Sequence, residues 1–300
     1  MSATNTNTVI DWSTDAAFRT AGSEINNMLT TVGLTQTADT GQINWTTATR
    51  TANTDSGYEI WRFNDTLQAT YPIYIRINYG CASTTSQPRI RVVVGTASNG
   101  AGTVSGLGSA STLGIVQSAN ATPKSTTTSY PSYVCYSATA GFLGLVWKCG
   151  GLNGGSTYSP LATLMISRTT DNTGTPTGEG VQIMYMNETS GGYLYAYMIS
   201  NPYNSVLYSA NLNYGLVHYS MTSSVYSSTA QLFNHYTATP KVLPSYHHAT
   251  VCTSEIPPLS TLTAATLYPG SGAHNYVCIS DRSYIPGTTT NNHGIIMLYE

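Results

Sequence analysis

Apolar residues along this chain follow two different periods, and only one stretch follows the helical one. Phe18, Ala21, Ile25, Met28, Leu29 and Val32 recur at spacings of three and four, which is one face of a 3.6-residue period. The spacing predicts an amphipathic helix over residues 15–32. Ser13 or Thr14 can serve as its N-cap, and Asp15 stands in the first turn, where the helix dipole favours an anion. Gly33 follows the last periodic residue, where a left-handed C-cap needs no Cβ. Arg19, Ser23, Asn26 and Asn27 fall on the other face. The helix is read as packed on a sheet rather than as a docking helix for a partner.

Downstream the period drops to two, the signature of strands. In the run 57–63, Tyr58, Ile60 and Arg62 share one face, while Glu59, Trp61 and Phe63 share the other. Aromatics on both faces predict a strand covered on both. Asn64 and Asp65 then turn the chain. Ile73, Ile75 and Ile77 alternate with Tyr74, Arg76 and Asn78, and Ile90, Val92 and Val94 alternate with Arg89 and Arg91. With turn residues between them, these three runs predict an antiparallel meander whose apolar face the helix covers.

Residues 95–114 are rich in glycine, including Gly100, Gly102, Gly106 and Gly108. No lysine follows them in phosphate-loop register, so the stretch is read as a long exposed loop. A second Ser/Thr-rich stretch spans residues 119–131. Strands are expected at 133–136 and 142–149, and the glycine cluster at 150–155 marks a boundary near residue 150. Beyond it, strands are expected at 161–167, 181–186, 193–199, 212–219, 231–236, 250–252, 262–268, 276–280 and 293–299. Glu188 to Gly192, between two apolar runs, is a hairpin signal. Strands at such regular intervals with Gly/Pro turns point to a sandwich or barrel. No fixed-length repeat suggests a solenoid or propeller.

One resemblance sharpens this reading. The run TDAAFRTAGSEINNMLTTVGLTQTADTGQINW, followed by GYEIWRFND, YPIYIRINYG and PRIRVVVGTASNGAGT, resembles the N-terminal part of a family of virion structural proteins of tailed bacteriophages. The resemblance covers about residues 12–105. It implies a tail, collar or fibre component, a late protein that acts by assembly, and it brings no catalytic residue with it.

Composition points the same way. Charged residues are 8% of the chain, against about a quarter in ordinary globular domains. Lysine occurs only at Lys124, Lys148 and Lys241. The surface must therefore be built from Ser, Thr, Asn, Gly and Tyr, which suits a subunit packed against neighbours better than a free protein. Tyrosine outnumbers phenylalanine 23 to 4, and its broad ring with a polar tip works in strands, at interfaces and on sugar-binding faces. A net charge of −2 with scattered basic residues gives no footprint for nucleic acid. The first residues have neither a basic nor an apolar leader segment, and no run is long enough to span a membrane, so synthesis in a host cytoplasm is expected. Cys81, Cys135, Cys149, Cys252 and Cys278 are odd in number and widely spaced, so they are read as thiols, mostly in the core.

Candidate chemistry is thin. His218, His235, His247, His248, His274 and His293 form no metal-ligand spacing, and the adjacent pair at 247–248 would face opposite sides of a strand. Cys252 or Cys278 could pair with one of these histidines, but nothing local activates either thiol. Glycoside hydrolysis needs two converging carboxylates, and the second half offers only Asp171, Glu179, Glu188, Glu255, Asp281 and Glu300, three of them in expected turns.

The sequence thus predicts a mostly β protein with one N-terminal amphipathic helix. An α+β assembly part is expected over residues 1–150, and an antiparallel β-sandwich or barrel over residues 151–300. No catalytic, cofactor or metal residue is assigned. The expected function is structural, with other virion proteins and further copies of the chain as partners, no nucleic acid and no membrane. Capsid decoration, or recognition of a host-surface glycan by a carbohydrate-binding module, stay open beside it.

Overall fold

A computed structural model describes residues 2–6, 10, 12–105, 112–117, 132–148, 161–170, 175–186, 194–200, 207–211, 249–252, 260–265, 274–280 and 294–299. The chain begins with β1 (Ser2–Thr6) and then forms α1 (Asp15–Thr31). A meander follows: β2 (Thr35–Gln36), β3 (Asp55–Arg62), β4 (Tyr74–Cys81) and β5 (Pro88–Gly95). Next come β6 (Ala97–Ser98), β7 (Val104–Ser105), β8 (Leu113–Gln117), β9 (Ser132–Ser137) and β10 (Phe142–Lys148). Longer strands continue as β11 (Leu161–Thr170), β12 (Pro176–Met186), β13 (Leu194–Ser200) and β14 (Leu207–Asn211). The last four are β15 (Ala249–Cys252), β16 (Ser260–Ala265), β17 (His274–Ser280) and β18 (Gly294–Leu298).

The fold is mostly β with a single helix among the described residues, and every strand pairing is antiparallel. The strands form a five-stranded sheet in the order β2-β3-β4-β5-β8, a seven-stranded sheet β1-β9-β10-β11-β12-β13-β14, a four-stranded sheet β15-β18-β17-β16, and the small ribbon β6-β7.

The helix forms where the 3.6-residue period places it. Thr14 is the N-cap, its Oγ1 accepting from the Ala17 amide at 3.0 Å. Val32 caps the other end, and Gly33 takes φ +98°, the left-handed conformation that glycine adopts without strain. Phe18, Ala21, Gly22, Ile25, Met28 and Leu29 are buried. They meet the face of the five-stranded sheet that carries Trp61, Phe63, Ile75, Ile77, Tyr79, Ile90 and Val92. The polar side is less simple than expected: Asn27 is exposed, but Asn26 turns inward to bond a buried carboxylate.

The seven-stranded sheet closes the same core from another side. Val134, Tyr136, Leu143, Leu145, Trp147, Leu164, Ile166 and Ile183 belong to one cluster with the helix and the five-stranded sheet. Tyr136 packs edge-on against Phe63 at 5.3 Å, and its hydroxyl accepts from the Asn64 amide at 2.6 Å. All six residues of β9 are buried, so this strand is covered on both faces.

The position near residue 150 falls between β10 and β11, which pair over seven residues from Phe142↔Ser167 to Lys148↔Leu161. One sheet therefore runs across it. Residues 95–105, expected as an exposed loop, are largely exposed but pinned at several points. β6 and β7 pair, the Thr96 amide donates to the Ser105 carbonyl at 2.9 Å, and Gly102 is buried at φ +94° beneath the Tyr58 ring. β12 begins at Pro176, earlier than the expected 181, and pairs with β13 across the hairpin signal, whose turn lies outside the described residues. β14 pairs with β13 at 207–211, just ahead of the expected strand at 212–219. That strand, the one at 231–236 and the stretch at 119–131 lie outside the described residues.

Candidate functional site

The most unusual chemistry lies where α1 meets the five-stranded sheet. Alternation along β3 puts Glu59 on the same face as Trp61 and Phe63, so its carboxylate enters the core and is 0% exposed. Oε1 accepts from Asn26 Nδ2 at 2.7 Å and from Trp45 Nε1 at 2.8 Å. Oε2 accepts from Tyr79 Oη at 2.8 Å and from Trp61 Nε1 at 3.2 Å. A carboxylate offers about four lone-pair sites, so these donors saturate it. Its two oxygens hold the helix, the loop after β2, β3 and β4 together. Such a group is a fastener: with every lone pair occupied, it has no acceptor left for a substrate proton.

The aromatic surroundings follow from local sequence. Trp45 sits on a turn, where the Thr47 and Ala48 amides bond back to the Asn44 carbonyl. Its ring meets Phe18 edge-on at 5.2 Å and Tyr79 at 4.9 Å. It fits only because residue 22 of the helix is glycine: a Cβ there would lie 2.1 Å from the indole. Burial, then the charge and hydrogen bond of Glu59, push the Tyr79 phenol well above its ordinary pKa.

Several other charged groups are used in the same manner. Arg50 Nε donates to Asp15 Oδ1 at 2.8 Å, and its Nη1 reaches the carbonyls of Trp12 and Thr85. The Arg50 hydrogen bonds hold the Asp15 carboxyl below its usual range. Arg89 and Arg91 both bond Asp55, locking β5 to the start of β3. Asp39 takes hydrogen bonds from Ser98 and the Gly102 amide. Burial pushes its pKa up, but hydrogen bonds to the carboxylate, those from Ser98 and the Gly102 amide among them, outweigh that and lower it. Arg76 lies 4.3 Å over the Tyr58 ring and donates to the Gly102 carbonyl.

Of the residues weighed as candidate chemistry in the second half, four fall on described strands. His274, Glu179, Cys252 and Cys278 lie on β17, β12, β15 and β17. His218, His235, His247, His248, His293, Asp171, Glu188, Glu255, Asp281 and Glu300 lie outside the described residues. Cys81 and Cys135 are buried thiols, and burial raises the pKa of Cys81. Among the described residues, no three His, Cys, Asp or Glu side chains are grouped to hold a metal ion, and no helix is long and apolar enough to cross a membrane.

Sequence reading did not single out Glu59, although the signal was there: a carboxylate in step with two aromatics on a buried strand face.

No family model matches the chain, and no curated protein or solved structure matches it.

Proposed function

We propose that this chain is a non-enzymatic structural subunit of a bacteriophage virion, in its tail, collar or fibre apparatus, acting by self-assembly and by docking to other virion proteins. The observation that carries the reading is where the charge goes. Charged residues are 8% of the chain, and Asp15, Asp39, Asp55, Glu59 and Asp65 each bind a donor on a distant segment. Among the described residues, acidic charge is thus largely committed to joints inside the subunit. A free protein keeps charge on its surface for solubility. A subunit that leaves its surface to Thr, Ser, Asn and Tyr suits repeated contact with neighbours. The resemblance over residues 12–105 supports the same reading, since it falls on α1, the five-stranded sheet and the segments that fasten them.

Immunogold labelling of intact phage particles, with antibody raised against the purified chain, tests this. Gold at the tail or neck is the expected result. Gold spread over the head would move the reading to capsid decoration. Particles without gold would overturn it and return sugar binding and catalysis to consideration.

A further inference from the structure

The face of the five-stranded sheet turned away from α1 holds an arginine pair with more donors than acceptors. Alternation along β5 turns Ile90, Val92 and Val94 into the core and leaves Arg89 and Arg91 as neighbours on the opposite face. β3 begins across β4 from them, and its register shifts between Asp55 and Gly57, which marks a bulge. Gly80 on β4 pairs with Asp55 on one side and with Arg89 on the other. A Cβ at residue 80 would lie 2.8 Å from Asp55 Oδ1 and 2.3 Å from the Thr54 carbonyl oxygen. Glycine there lets the Asp55 carboxylate reach over β4 to both arginines. Arg89 Nη2 donates to Oδ1 at 3.0 Å, and Arg91 Nη2 donates to Oδ2.

These two guanidiniums are used sparingly. Arg50, Arg76 and Arg168 each engage both Nε and Nη1. Arg89 and Arg91 each bond through Nη2, and both of their Nε atoms are buried without an acceptor. The hydroxyl of Ser56, the residue after Asp55, is buried without a partner as well. Arginine offers five N–H donors, and a buried donor left unpaired is costly. The charges do not balance either: among the described residues, Asp55 is the one acid paired with these two cations. The cluster is open to solvent, since the Arg89 and Arg91 side chains are 19% and 35% exposed. Unmet donors, surplus positive charge and access from solvent together fit an anion with oxygen acceptors.

We propose that Arg89 and Arg91 form a binding site for an oxyanion, a phosphate or carboxylate group that joins Asp55 on the two guanidiniums. Guanidinium edges match such groups in geometry, and the hydrogen bonds are charge-assisted. The site goes beyond the assembly role and does not require it, so either can fail without the other.

NMR of the arginine Nε–H groups reads the site directly. The full chain, isotopically labelled, is titrated with inorganic phosphate and, separately, with acetate, each replacing chloride at constant ionic strength. Spectra of Arg89→Gln, Arg91→Gln and Arg62→Gln assign the signals. With at least one of the two anions, the Arg89 and Arg91 signals should shift and saturate at about millimolar concentration, the scale of a few charge-assisted hydrogen bonds. The anion that saturates first names the group. The signal of Arg62, an exposed arginine at the end of β3, should stay in place. Arg89 and Arg91 signals that move with neither anion overturn the site. Signals that drift together with Arg62 and never saturate overturn it too, because that is screening of exposed charge. As a second variant, Asp55→Asn leaves both guanidiniums without their carboxylate. The same anion should raise its melting temperature by more than it raises that of the native chain, a comparison that removes the general stabilising effect of phosphate. An equal rise in both overturns the site. Where Asp55→Asn does not fold, the titration of the native chain decides alone.

Discussion

Arg168 and Asp65 are 103 residues apart and form a fully buried two-pronged ion pair, with Nε to Oδ2 at 2.6 Å and Nη2 to Oδ1 at 2.9 Å. Their side chains are 1% and 2% exposed. Arg168 belongs to β11, and Asp65 to the turn between β3 and β4. Nη1 also donates to the Tyr71 carbonyl at 2.8 Å. This is the joint between the seven-stranded sheet and the helix-covered sheet. Asp65→Ala leaves a buried guanidinium without its anion, and should destabilise the fold by roughly 3–5 kcal/mol. Replacing both residues by apolar ones of similar volume should recover much of that loss, because the desolvation cost of both charges disappears. Urea denaturation of the two single variants and the double variant checks this. A double variant no more stable than Asp65→Ala would show that the pair is not the source of the cost.

The Glu59 cluster makes a separate prediction. Glu59→Gln keeps the shape but aims two N–H donors at a site already lined by four donors. It should cost about 2 kcal/mol, the usual scale for hydrogen bonds to a charged group. Glu59→Leu should cost more, because Asn26, Trp45, Trp61 and Tyr79 then lose their acceptor together. Both variants should change tryptophan fluorescence, since two of the donors are indoles. Unaltered emission with unaltered stability would mean that the carboxylate is not the fastener described above.

Much of this architecture was legible locally, and the parts that were not have a common cause. The period of Phe18, Ile25 and Leu29 placed the helix, because burial of one face is a short-range pattern. Alternation likewise placed Glu59, Trp61 and Phe63 on one face. What alternation does not encode is the partner: the Glu59 donors Asn26, Trp45 and Tyr79 stand 33, 14 and 20 residues away. Asp65 read simply as a turn residue, and nothing near it pointed to Arg168. Gly100 and Gly102 both read as exposed loop; Gly100 is exposed, but Gly102 is not. The reason is that glycine is ambiguous in sequence. It marks an exposed turn and a close approach equally well, and here Gly102 is the close approach to Tyr58.

Gly22 is a further such close approach, inside a helix. Glycine there costs about 1 kcal/mol against alanine in helix propensity. Gly22→Ala should nevertheless destabilise the protein, because its Cβ would sit 2.1 Å from the Trp45 ring, which cannot move without breaking its bond to Glu59. A net loss of about 1–3 kcal/mol is expected from the overpacking, with altered tryptophan emission. A rise in melting temperature would show that the ring relocates freely.

Stability should fall at high pH, and the sign follows from three buried phenols. Burial raises Tyr133 and Tyr136 from 10.0 to about 12, with Tyr299 adding to the rise at Tyr133 and the Asn64 amide opposing it at Tyr136, and Tyr79 is also raised well above 10.0. Above pH 10 the unfolded chain releases protons that the folded chain retains, so stability declines as pH rises from 10 through 12. Cys81, raised from 9.0 by burial, acts in the same sense slightly earlier. Melting temperature followed from pH 8 to 12 should hold up to about the ordinary phenol range and then drop, with tyrosinate absorbance appearing together with unfolding. Tyr136→Phe removes one of these phenols and the acceptor for the Asn64 amide. It should therefore lower stability at pH 8 by about 1 kcal/mol while making the alkaline decline shallower. A variant with the native slope would mean that Tyr136 ionises in the folded protein as readily as in water, and that its place between Phe63 and Asn64 is not closed to solvent.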